Sequence, residues 1–190
     1  MQDSMSLLDP LLERAARRLS IHYDMYWPKH DGADPNERDL TMALASAIYE
    51  AHPDWGTFTE VPLHQGSQEK LDLLVIAPER GFCWLIESKN IESSKMRHQV
   101  ADDLRKLQRF EAKPTLQGGR PFPQNSVRVT LMMGWTSGEH AEGPFQKPVY
   151  QRLREAVTRQ YPNLQIGHFE IPRHGLVEPY RHQWLIYFAG

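Results

Sequence analysis

Two apolar runs, KLDLLVIA (70–77) and GFCWLIESKN (81–90), stand three residues apart, and each carries charge within it. Runs rich in Leu, Ile, Val, Phe and Trp without polar alternation read as strands buried on both faces. The connection Pro78-Glu79-Arg80 is short enough to make them a hairpin. The pair is therefore expected at the centre of a sheet, and whatever else the chain does must fit around it. Into that centre the sequence sends Asp72 from the first strand and Glu87-Ser88-Lys89 from the end of the second. Ionised groups are costly there unless they are paired or hold a ligand.

The remaining elements frame this hairpin. Leu8, Leu11, Leu12, Ala15 and Leu19 recur at helical spacing behind Asp9-Pro10, which predicts a helix over 9–23 with Asp9 as N-cap and Pro10 in its first turn. A loop is expected through WPKHDGADP. A second helix follows over 34–51, with Leu40, Leu44, Ala47, Ile48 and Ala51 on its buried stripe. Strands are predicted over 57–64, 70–77 and 81–90, then a helix over 93–112 with Met96, Val100, Leu104 and Leu107 inward. A Pro/Gly-rich loop, a strand over 127–135, a helix over 148–161 and strands over 164–171 and 183–188 complete the order α-α-β-β-β-α-β-α-β-β. The chain reads as a single α/β domain over residues 1–190.

Its 190 residues suffice for a sizeable core. The net charge of −2, from 24 acids and 22 bases, excludes a globally basic nucleic-acid binder, so any such surface must be local. One cysteine excludes an internal disulfide framework and a Cys-based zinc site. Cys83 sits inside a predicted central strand and reads as a small buried hydrophobe. No apolar run approaches the ~20 residues of a membrane span. The N-terminal segment lacks the basic and apolar regions of a signal peptide. The expectation is a cytoplasmic location with no membrane association.

In a strand, residues two apart share a face, so Glu87 and Lys89 point the same way, within reach of Asp72 on the neighbouring strand. Asp72, one oxygen of Glu87 and the backbone carbonyl of Ser88 then offer a small oxygen set of the kind Mg²⁺ takes, leaving positions for water and phosphate. Lys89 beside them can orient or deprotonate an attacking water and neutralise phosphate charge. The bland alternative is a strand-end ion pair between Lys89 and one carboxylate.

The segment LDLLVIAPERGFCWLIESK resembles the PD-(D/E)xK nuclease superfamily, with Leu71 in place of the proline before the aspartate. The resemblance covers about 34–136 and implies a restriction-endonuclease-like αβββαβ core. That core would be a mixed central sheet flanked by helices, with an extra N-terminal helix (9–23) and a C-terminal αββ extension (147–190). It further implies that Asp72 and Glu87 bind Mg²⁺ or Mn²⁺, that Lys89 assists hydrolysis, and that the substrate is DNA, cut by an endonuclease with a homodimer among its expected assemblies. Members of the superfamily often add a glutamate from the first core helix, and Glu37 holds that position. Asp34-Pro35-Asn36-Glu37 equally resembles a capping box, which leaves Glu37 two roles.

On the helix after the third strand, Gln99 and Gln108 flank the apolar stripe on opposite sides, so at most one faces the site. Asp103 falls within the stripe by angle, either as a partner for Lys89 or where the stripe ends. Lys95, Arg97, His98, Arg105, Lys106, Arg109 and Lys113 make this helix basic. Lys95, Arg97, Gln99 and Arg105 are the candidates to grip phosphates, against the alternative of a solvated face. The five tryptophans read as packing residues before base-stacking ones. Nine scattered histidines show no tight metal-ligand spacing. The competing function is a catalytically inactive module of the same fold that binds nucleic acid or protein.

Overall fold

The computed structural model describes residues 2–26, 37–90, 96–111, 121–137, 142–172 and 181–190. Their elements follow the expected order: α1 (Gln2–Tyr26), α2 (Glu37–Ala51), β1 (Gly56–Pro62), β2 (Lys70–Ala77), β3 (Phe82–Asn90), α3 (Met96–Gln108), β4 (Asn125–Ser137), α4 (Pro148–Gln160), β5 (Gln165–Glu170) and β6 (Arg181–Ala189). The six strands form one sheet in the order β1-β2-β3-β4-β6-β5. Only β3 and β4 run parallel, joined by the crossover that contains α3; every other pair is antiparallel. The fold is thus mixed α/β with a mostly antiparallel sheet. The apolar pair β2 and β3 lies inside the sheet, as its double-sided hydrophobicity requires.

Alternation along the strands separates two faces. Trp84 and Ile86 of β3, with Leu73 and Val75 of β2, pack under α1 and α2. On the other face Met132, Ile186 and Phe188 pack under α3 and α4, and Leu74, Cys83, Leu85 and Leu107 continue that layer towards β1. Trp55, Trp84 and Trp184 are buried, in keeping with packing roles. The side chain of Trp135, and Trp27 altogether, lie outside the described residues.

The first helix departs from expectation. It begins at Gln2 and runs through Pro10 instead of starting there. Leu8, Leu11, Leu12, Ala15, Ala16 and Leu19 are all buried, so packing against α2 and the sheet extends the helix on both sides of the proline. Asp9 is therefore no cap. Its carboxylate accepts hydrogen bonds from the Tyr187 hydroxyl and the Gln165 amide, tying α1 to β5 and β6.

At its far end α3 stops at Gln108, short of 112. The Glu111 N–H donates to the Leu63 carbonyl at 2.8 Å, and Phe110 packs on Phe122, which draws the chain off the helical path. The expected loop 27–35 and the residues 93–95 before α3 lie outside the described residues.

Candidate active site

The β2–β3 ladder pairs Leu73 with Ile86; one step further stand Asp72 and Glu87, where the strands part. Here a side chain takes over from the backbone ladder. Asp72 Oδ2 accepts the Ser88 N–H at 2.7 Å. This holds the Asp72 carboxylate at the C-terminal end of β3.

On the α2 side, the Thr41 hydroxyl lies 2.9 Å from both the Glu37 carbonyl and Ser88 Oγ, locking the first turn of α2 to the same strand end. Glu37 then reaches to 3.9 Å from Lys89 Nζ. Glu37, Thr41 and Asp72 open onto a cleft of about 770 Å³, whose walls also include Arg38, Met42, Thr59 and Glu60. Asp34, the other half of the possible capping box, lies outside the described residues.

On the opposite face α3 covers Glu87. Gln99, Asp103 and Lys106 follow one another at i, i+4 and i+7, so all three share the helix face that meets β3 and β4. Lys106 Nζ lies 2.8 Å from both Glu87 oxygens, donating to Oε2 while its approach to Oε1 is purely ionic. Lys89 Nζ lies 3.8 Å from Asp103 Oδ1. The structure thus brings Asp72, Glu87, Ser88, Lys89 and Glu37 together, and adds Asp103 and Lys106.

The phosphate-gripping candidates fare differently. Arg105 is exposed and paired with Asp102 at 2.7 Å, pointing away from the site, because a residue just ahead of Lys106 projects about a quarter-turn off its face. Gln99 does share the site face, while Gln108 is exposed. Lys95 and the side chain of Arg97 lie outside the described residues.

Electrostatics are set by burial. Glu87 is fully buried. That burial pushes its carboxyl up to about 7, opposed by the Lys106 hydrogen bond and reinforced by Asp72. Asp103 is likewise raised by burial, to about 6, with Lys89 and Lys106 pulling the other way. Burial works against the charge of Lys89, but Asp103, Glu37, Glu87 and Asp72 outweigh it and hold the ammonium above its ordinary pKa. Cys83 is pushed up to about 11 by burial and stays a thiol, as a core residue should.

The donor set has the character of a hard-cation site. Four carboxylates (Glu37, Asp72, Glu87 and Asp103) face two ammonium groups, so acidic groups outnumber cations two to one. Asp103 Oδ2 and Gln99 Oε1 are buried acceptors without a hydrogen-bond partner, and Thr130, opposite Glu87 in the β3–β4 register, has its hydroxyl in the same condition, whereas Glu87 Oε1 is met by the Lys106 ammonium alone. Leaving such atoms unmet costs about 1–3 kcal/mol each, so a cation or donor is favoured among them.

As the side chains stand, Glu87 is committed to Lys106 and Asp72 to the Ser88 N–H. Among the described residues no group of three or more His, Cys, Asp and Glu side chains is assembled to hold a metal ion. Comparison with protein-family models, with curated proteins and with solved structures finds no match to this chain.

Proposed function

We propose that the protein is a divalent-metal-dependent nuclease of restriction-endonuclease-like fold, hydrolysing phosphodiester bonds in DNA. The observation that carries this reading is the convergence of Asp72, Glu87 and Lys89 at one strand end, joined by Glu37 from the first turn of α2. The order α2-β1-β2-β3-α3-β4 is in keeping with it.

Asp72, Glu87, the Ser88 carbonyl and Glu37 are the oxygens that would hold Mg²⁺ or Mn²⁺. The ion supplies Lewis acidity to a phosphoryl oxygen and acidifies a water. The chain's own groups account for the rest. Lys89, kept as an ammonium by four surrounding carboxylates, neutralises charge building on the phosphate and orients the attacking water; at neutral pH it is a donor and not a base. Thr41 fixes the first turn of α2 to Ser88, so that Glu37 and Asp72 face one cleft. Water attacks phosphorus in line as the bond to one ester oxygen breaks, its proton passing to solvent and the departing oxygen taking up a proton in turn.

A second reading, a catalytically inactive module of this fold, is favoured by the Lys106 ammonium that already neutralises Glu87. Cleavage of supercoiled plasmid and of single-stranded DNA, with Mg²⁺ or Mn²⁺ and with chelator, separates the two. The nuclease reading predicts metal-dependent cutting by the wild type and a loss of at least about a hundredfold in Lys89→Ala. Equal rates in both proteins would remove Lys89 from the chemistry, and no cleavage of either substrate would favour the inactive module.

A further inference from the structure

Lys106 and Asp103 lie three residues apart on α3 and are neighbours on one helix face. The Lys106 ammonium sits 2.8 Å from both oxygens of Glu87, the most deeply buried carboxylate of the proposed cation site. A dication and an ammonium cannot share one buried carboxylate without strong repulsion. The ammonium must then move, and its flexible four-carbon stem permits that. It also needs an acceptor, because a buried charge without a partner is costly. Asp103 offers one. Its Oδ1 side faces Lys89 at 3.8 Å, while Oδ2 is buried and has no hydrogen-bond partner.

We infer that Lys106 is the resident counter-ion of the cation site, displaced from Glu87 onto Asp103 Oδ2 when a divalent cation binds. Asp103 is then a positioning residue: it holds Lys89 on one oxygen and receives Lys106 on the other. This rests on the metal-binding reading above and adds to it a built-in exchange of cations. One consequence is that two ammonium groups end beside the cation on the α3 side, where a phosphate would meet them.

The test is Mn²⁺ calorimetry on the wild type, Lys106→Gln, Asp103→Asn and the double variant, each first shown to be folded by circular dichroism. Lys106→Gln is expected to tighten Mn²⁺ binding by removing the competitor. Asp103→Asn is expected to weaken binding in the wild-type background, and by a factor at least about threefold smaller once Lys106 is absent. If Asp103→Asn weakens binding by the same factor in both backgrounds, Asp103 acts only as a nearby negative charge and the exchange is wrong. If none of the four proteins binds Mn²⁺, the cation site itself falls, which is a different outcome from binding with additive effects. Should a variant fail to fold, the side-chain NMR signal of Lys106 in the wild type decides. A large shift on adding Mg²⁺ supports displacement, and an unmoved signal under saturating Mg²⁺ overturns it.

Discussion

Glu87 carries the conflict on which the site is built: a carboxylate with no solvent exposure, one lysine against it and two other acids close by. Its carboxyl titrates near 7 in the folded protein against 4.5 in the unfolded chain, so the folded state holds that proton more tightly. The stability this gives is complete below the unfolded value and is lost as pH rises through about 7. Asp103 acts in the same direction over a lower window, from 3.8 to about 6. Urea unfolding should therefore show stability falling between about pH 4 and pH 7. Glu87→Gln should flatten that fall by removing the group that titrates. An identical slope in the variant would mean that Glu87 does not titrate in this range. A bound divalent cation favours the ionised form and should flatten the slope in the wild type too.

At the scale of elements, packing decides where pattern alone misleads. Proline after aspartate reads as a helix start, yet apolar contacts before Pro10 continue α1 back to Gln2. The central hairpin was legible because both strands are apolar on both faces and the turn is three residues long, and its two acids came with it. Lys106 was not. Its partner Glu87 is 19 residues away, and Lys106 is one of seven basic residues between 95 and 113 that look alike along the sequence. Nothing local distinguishes Lys106, which meets Glu87, from Arg105, which meets Asp102 in solvent.

The far sheet edge offers a further test. Gly167 of β5 faces Tyr187 of β6 in register, and a Cβ there would stand 2.5 Å from the tyrosine ring. Gly167→Ala must push that ring off the glycine and disturb its hydrogen bonds to Asp9 and Gln165. The expected cost is about 1–3 kcal/mol, read as a lower melting temperature. An unchanged melting temperature would show that the α1 anchor tolerates the shift. The proposed cleavage activity, assigned to the β2–β3 end of the sheet, should persist below the melting point.

Across the whole molecule, the sheet separates two helical layers, and the candidate site forms where both reach the same strand end. Glu37 and Thr41 come from the α1/α2 layer, Asp103 and Lys106 from the α3/α4 layer, and Asp72, Glu87 and Lys89 from the strands between. Among the described residues no helix is long and apolar enough to cross a membrane. With a net charge of −2, the surface as a whole does not attract a polyanion.

The proposal that this junction is a cation site is tested most directly by a crystal structure grown with saturating Mn²⁺ and examined by anomalous scattering. The expected result is a peak within coordination distance of the Asp72 and Glu87 carboxylates, with Lys106 withdrawn from Glu87. A map without that peak, with the Lys106–Glu87 contact intact, would contradict the account.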